Sequence, residues 1–369
     1  MIPLCIPEIR GNEWKYVKDC IDTNWVSSVG SYVNLFEERF SEYVGSKSAV
    51  VTNNGTAALQ LALLTLGIGK DDEVIVPSLT FISPINTLKY VGANPIFVDV
   101  CRDTFVMDAE KIEELITPKT KAIMPVHIYG HPADMARIME IAQKHNLYVI
   151  EDATESLGSK FNDKMAGTLG HIGCYSFNGN KLITTGAGGM LVTDNLEFGL
   201  RAKFLSTQTK VVTENNAFYH PEVGYNYRMP NLLAAFGVAQ LENVYEYLKI
   251  KRKNAMYYVE QLSEVKGITL PIEKGNVENC FWLYSILVEE EYGITRDALM
   301  RKLNEEKIEA RPFFMPIHDM PPYKEYRHGD LSITKELYEK GINLPSSVGL
   351  QLEDIKKVCK VIIENQIKR

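Results

Sequence analysis

From Ser48 onward the chain alternates short apolar runs with longer amphipathic ones. Five runs, at 48–52, 73–77, 94–100, 121–127 and 147–153, are rich in β-branched residues and show no polar alternation. A strand with one wet face would alternate with a period of two, so these runs predict strands buried on both faces. Helical patterns separate them, at 56–66, 82–90, 108–116 and 132–145. Strands spaced by helices predict an α/β fold with a parallel sheet and right-handed crossovers. Two further apolar strands, 173–177 and 189–193, follow with no clear helix between them, which predicts a mostly parallel but mixed central sheet flanked by helices.

Past about Pro230 the pattern changes. Residues 231–261 read as one long amphipathic helix or two joined ones, with a basic patch at 249–253. A smaller C-terminal α+β unit follows, with strands at 281–288 and 309–314 and helices at 295–306, 333–341 and 352–365. We therefore expect a large α/β domain over 1–245 and a small one over 246–369, with a helix crossing the boundary.

Composition narrows the class. Of 369 residues, 45% are hydrophobic and 24% charged, a globular balance. The formal net charge of -7 is a poor start for gripping a phosphate backbone, so no nucleic-acid partner is expected. The charge-free stretch 48–69 carries Asn53, Asn54, Gly55, Thr56 and Gln60, a turn that a membrane span would not hold at its centre, so no membrane partner is expected. The first residues show no basic region followed by an apolar core, so no signal peptide is read. Six scattered cysteines without a CxxC pair fit reduced thiols, and a cytoplasmic location is expected.

Three features carry candidate chemistry. Between Met165 and Thr193 the single formally charged side chain is Lys181, ringed by small and apolar residues. Desolvation disfavours an ammonium, which is how proteins make a nucleophilic amine; the alternative is a surface lysine on a glycine-rich loop. Asp152 ends an apolar strand, where functional groups of parallel sheets gather, although it could equally cap the next helix. Asn53-Asn-Gly-Thr-Ala-Ala-Leu59 joins a strand to a helix whose free N–H groups suit a phosphate; read blandly, it is an ordinary capped turn.

Other fingerprints are missing. Gly186-Ala-Gly-Gly lacks the last glycine of a dinucleotide motif, Gly69-Lys70 lacks the first glycine of a P-loop, and the histidines show no metal-ligand spacing, so no metal is expected. A phosphate cradle, an acidic strand end and a lone lysine, in that order, match the needs of pyridoxal 5'-phosphate (PLP): an anion site, a carboxylate for the ring nitrogen and an amine for the aldehyde.

The motifs Asn24-Trp-Val-Ser-Ser-Val-Gly30, Asn54-Gly-Thr-Ala-Ala-Leu59, Pro77-Ser-Leu-Thr-Phe81, Glu151-Asp-Ala153, Ser176-Phe-Asn-Gly-Asn-Lys181, Thr184-Thr-Gly186, Gly224-Tyr-Asn-Tyr-Arg-Met229 and Leu344-Pro-Ser346 run along nearly the whole chain. Through them the sequence resembles the DegT/DnrJ group of sugar-nucleotide aminotransferases, which have the fold-type-I PLP architecture. The resemblance implies Lys181 as the Schiff-base lysine, Asp152 at the pyridinium nitrogen and Phe81 stacked on the ring. It implies Gly55, Thr56, Ala57 and Ser176 at the phosphate, with Asn226 reaching the phosphate of a neighbouring subunit in a homodimer. Trp25, Ser27, Asn178 and His318 fall where the group meets its substrate. Arg228 and Arg311 are both candidates for the carboxylate of the donor, L-glutamate, or for nucleotide phosphates.

Two positions depart from the group. Glu155 stands where many members carry Gln or His near the cofactor's phenolic oxygen, so we expect it protonated, bridged by water or turned toward the sugar. Ala187 replaces a common acidic residue. Within the group, the opening segment and Glu151-Asp-Ala-Thr-Glu-Ser-Leu-Gly-Ser159 look most like enzymes aminating C4 of UDP-linked 4-keto-6-deoxy-N-acetylhexosamines in bacillosamine or legionaminic acid pathways. The alternative is the same chemistry on a GDP- or dTDP-linked keto sugar, at C4 or C3. A PLP-dependent sugar deoxygenase would carry histidine at position 181, and a non-catalytic sensor would lack one or more of the three features.

Overall fold

The computed structural model describes residues 1–213 and 216–367. Helices α1 (Glu13–Asp22) and α2 (Ser31–Val44) precede the sheet. The chain then runs through β1 (Ser48–Thr52), α3 (Gly55–Thr65), β2 (Glu73–Pro77), α4 (Ser83–Val91), β3 (Asn94–Val98), β4 (Thr120–Ile123), α5 (Met135–His145) and β5 (Tyr148–Asp152). A small hairpin of β6 (Lys160–Phe161) and β7 (Lys164–Met165) leads to β8 (Ile172–Ser176) and β9 (Gly189–Thr193).

Seven of these strands form one sheet in the order β1-β9-β8-β5-β4-β2-β3. Every neighbouring pair is parallel except the two made by β9, which runs antiparallel to both β1 and β8. The absence of polar alternation has a direct cause. Along β2, Val74 and Val76 enter one apolar layer and Ile75 the opposite one; along β9, Leu191 points one way and Met190 and Val192 the other. Helix α3 is apolar all round because it lies between the sheet, α4 and α6 (Leu196–Ser206).

The expected helix at 108–116 is instead two 3₁₀ turns, Ala109–Lys111 and Glu113–Leu115. Ile112 and Leu115 are both buried, and a helix of three residues per turn puts residues three apart on one line. After α6 comes a hairpin of β10 (Val211–Thr213) and β11 (Asn216–Tyr219). The 231–261 pattern resolves into two joined helices, α7 (Asn231–Leu241) and α8 (Val244–Leu262). The basic patch at 249–253 is not a continuous surface. Lys251 is buried and donates to the carbonyls of Trp282 (2.9 Å) and Ser346 (2.5 Å), while Arg252 pairs with Glu273.

The remaining elements are β12 (Ile268–Thr269), β13 (Val277–Glu278), β14 (Tyr284–Val288), α9 (Arg296–Glu305), β15 (Arg311–Pro312), α10 (Ser332–Lys340), β16 (Gly341–Leu344) and α11 (Leu352–Glu364). They build a four-stranded antiparallel sheet, β12-β14-β16-β15, whose inner strand β16 the sequence pattern did not predict. The expected small domain reaches residue 369, and positions 368 and 369 lie outside the described residues. Strand β13 pairs with β6, adding a third strand to the β6–β7 hairpin, a small sheet separate from the seven-stranded one. The first residues stitch the two halves as well: Ile2 exchanges backbone hydrogen bonds with Lys307 and Glu309, and the Leu4 carbonyl accepts from Ser346. No described helix is long and apolar enough to cross a membrane.

Candidate active site

Strands β1, β5 and β8 end on one side of the sheet, and a cleft of about 590 Å³ opens there, closed on its far side by Trp282, Arg311 and Phe314. At the end of β1, Asn54 caps α3: its Oδ1 accepts the Ala57 N–H at 2.8 Å. Among the described residues no acceptor engages the N–H of Gly55 or Thr56, which leaves two donors and the positive end of the helix facing the cleft. The Thr56 hydroxyl meets that of Ser83 at 2.9 Å. Gly55 is required by crowding, since a Cβ there would sit 2.9 Å from Ser176 Cβ. This is a ready anion cradle, and Gly55, Thr56 and Ser176 all line it. Ala57 does not: its N–H is already spent on Asn54, and its side chain is buried in the core.

Strand β5 carries two carboxylates, and its two-residue period sends them to opposite sides. Glu151 is fully buried and accepts from the N–H groups of Gly167, Leu169 and Gly170, with His127 Nε2 at 2.8 Å. The Ala133 N–H points at His127 Nδ1, so the ring carries its proton on Nε2 and donates it to Glu151. Asp152 turns to the cleft instead. Its Oδ1 accepts the Thr154 N–H at 3.1 Å, and burial pushes its carboxyl up against the opposing effects of Thr154 and Lys181. A carboxylate buried to this degree at a cleft wall calls for a cation on the cleft side, and a pyridinium N–H meets that demand. Cradle and carboxylate thus fit the phosphate and ring nitrogen of PLP.

Lys181 lies beyond β8 in the turn closed by its N–H to the Asn178 carbonyl. Its surroundings correct the expectation of an isolated amine. Glu155 Oε1 lies 3.6 Å from Nζ, and the Trp282 ring centroid lies 3.7 Å from it. Both neighbours arrive from distant parts of the chain, so the local run of small residues could not reveal them. Glu155 Oε2 accepts the Tyr129 N–H at 2.9 Å. Burial pushes the Glu155 carboxyl up to about 7, with Lys181 and the Tyr129 N–H pulling against it.

The other candidates divide. Phe81, half exposed, sits at the mouth beside Phe314, with centroids 5.8 Å apart; Asn178 and Arg311 line the cleft, as does Ala187. Arg228 does not reach it, because its guanidinium is held by Glu37 at 2.6 Å. His318 is buried behind the wall, with Nδ1 at 2.7 Å from the Ser78 hydroxyl. Trp25 and Ser27 lie in the exposed link between α1 and α2, where their carbonyls accept from Asn231, and Asn226 is exposed outside the cleft near Asn53. Unforeseen wall residues include Ser83, Thr154, Trp282 and Asn343. A tryptophan in an apolar strand-like run carries no signal of its own, whereas Ser83 could have been found as the first residue of a helix facing the same sheet end.

Fold and cleft together define a PLP-dependent transferase. Residues 7–363 match the DegT/DnrJ/EryC1/StrS aminotransferase family, and the chain belongs to that family. It is 44% identical to the GDP-perosamine synthase of Caulobacter vibrioides over 362 residues, covering 98% of this chain and 97% of that one. The GDP-perosamine synthase of Escherichia coli O157:H7 is also 44% identical, over 98% of each chain. The crystal structure of the aminotransferase TlmJ from Streptoalloteichus hindustanus superposes with a TM-score of 0.93 at 27% identity, covering 99% of this chain and 98% of that one. The protein is thus a PLP-dependent sugar aminotransferase that works on a nucleotide-linked keto sugar and an amino donor.

Proposed function

We propose that the chain aminates C4 of a GDP-linked 4-keto-6-deoxyhexose, with L-glutamate as donor. The observation that carries this reading is full-length 44% identity to two GDP-perosamine synthases. It favours the GDP alternative over the UDP-linked N-acetyl substrate that the opening segment and the 151–159 stretch first suggested.

PLP, when bound, supplies an electron-withdrawing ring that stabilises negative charge at the carbon losing its proton. The chain's residues do the rest. The Gly55 and Thr56 N–H groups and the Ser176 hydroxyl bind the phosphate. Asp152 keeps a proton on the ring nitrogen, and Phe81 covers one face of the ring. Lys181 would be the amine that carries the cofactor and, once free, would take a proton from the donor's α-carbon and hand it to the former aldehyde carbon on the other side of the amino nitrogen. A second copy of the chain completes the site in a homodimer, with Asn226 directed to its neighbour's phosphate. The large unit, 1–245, holds the cofactor, and the small unit, 246–369, brings Arg311 to a substrate carboxylate or phosphate. We place the reaction in the cytoplasm.

The test is incubation of purified protein, PLP and L-glutamate with GDP-, UDP- and dTDP-linked 4-keto-6-deoxy sugars, followed by mass and NMR analysis. We expect a new amine at C4 of the GDP sugar. Preferential turnover of a UDP or dTDP sugar, or an amine at C3, would overturn the proposal.

A further inference from the structure

Lys181 must part from the cofactor in every half-cycle, and a free ammonium in a buried cleft needs somewhere to rest. The structure contains such a place, assembled from three segments remote in sequence. Glu155 Oε1 lies 3.6 Å from Nζ on one side, and the indole face of Trp282 lies 3.7 Å away on another. Each half is held firmly. Trp282 is almost fully buried; its Nε1–H donates to the Asn180 carbonyl at 2.7 Å, and its own carbonyl accepts from the buried Lys251 at 2.9 Å. Tyr129 ties the halves together: its N–H donates to Glu155, and its carbonyl accepts the N–H of Leu283, next to Trp282. Tyr129 does this from a left-handed backbone conformation (φ 54°) in a buried turn.

We propose that the Trp282 ring and the Glu155 carboxylate form a paired receptor for the Lys181 ammonium, holding it beside the cleft when its nitrogen is neither bonded to the cofactor nor moving a proton. The inference rests on Lys181 being the cofactor-bearing amine. The distances suit a resting place rather than a trap. A carboxylate at 2.8 Å would fix the ammonium with a directed, charge-assisted hydrogen bond. At 3.6 Å, shared with a quadrupolar ring face, the attraction is real but undirected, so the amine can leave. Asp152 and the Cys5 thiol also feel the Lys181 charge. Trp282 is thus a positioning residue for the lysine.

The test uses PLP-loaded Trp282→Leu, Trp282→Met and Trp282→Phe enzymes mixed rapidly with L-glutamate, following the visible absorbance of bound cofactor. Loss of the ring face should lower the maximal rate of this half-reaction roughly thirtyfold, the ratio that a desolvated cation–π contact of about 2 kcal/mol gives. Half-saturating glutamate should change less than about twofold, because binding is untouched. Phe keeps a face but loses the Nε1–H, and should stay within about threefold of wild type. A Phe variant that falls as far as Leu and Met, a Leu or Met variant as fast as wild type, or an effect confined to half-saturation would overturn the proposal. If neither Leu nor Met takes up cofactor, the Phe variant decides alone, and a loss above about threefold sinks it. Borohydride reduction of wild-type holoenzyme with peptide mapping separates the two levels. A label away from Lys181 removes the underlying reading. A label on Lys181 combined with an unaffected Leu variant removes this inference only.

Discussion

Glu155→Gln gives a direct reading of the buried carboxyl beside Lys181. Burial lifts this carboxyl from its ordinary 4.5 to about 7, so the folded protein holds a proton that the unfolded chain has released. The sign follows. Stability from this group is present in full below about 4.5 and is lost as pH rises through about 7. A displacement of that size corresponds to about 3 kcal/mol, of which about 2–3 falls between pH 5 and 8. Gln is a neutral isostere and does not titrate. Urea unfolding of cofactor-free wild-type and variant protein should therefore show wild type losing about 2–3 kcal/mol relative to the variant across that window. Buried His131 and His318 and half-buried His171, whose imidazoles desolvation holds below their usual range, tilt both curves the opposite way and cancel in the difference. A gap that stays flat would refute the reasoning. Wild type gaining on the variant as pH rises would show the Lys181 attraction overcoming burial.

Other changes test the rest of the site. Lys181→Ala should lower transamination by at least about a thousandfold while circular dichroism and the unfolding midpoint stay near wild type; substantial turnover would remove its assigned role. Gly55→Ala should weaken PLP binding at least about tenfold in an absorbance titration, because the new Cβ meets Ser176 at 2.9 Å beside the cradle; unchanged affinity would place the phosphate elsewhere. Glu151→Gln should cost about 2–3 kcal/mol in urea unfolding, since an amide cannot accept from all four donors around it, and a neutral result would mean the loop at 167–170 is held by other contacts.

Most of the large sheet was readable because strands buried on both faces announce themselves as unbroken apolar runs. The cradle, Asp152 and Lys181 were readable for a related reason: polar groups at the ends of such runs are conspicuous. What failed to show was assembly across distance. Strand β16 adjoins a helical run and is four residues long, so periodicity had nothing to work on. The charge at Lys251 looked like surface because its partners, two backbone carbonyls, leave no mark in a sequence. Ala57 matched a motif, yet Asn54 had already claimed its N–H. Arg228 looked free for a substrate until Glu37 appeared beside it. The neighbours of Lys181 come from two other stretches of chain, and no local pattern connects them.

Strand β9 lies between β1 and β8, with Ser48 paired to Thr193 and Ser176 to Gly189. Until it slots in, the segment bearing the anion donors has no strand-to-strand link to the one ending in Ser176. Such a long-range insertion is slow compared with forming local helices. Vitamin capture therefore becomes competent late, and during refolding the appearance of colour marks the moment the sheet closes rather than guiding its earlier steps.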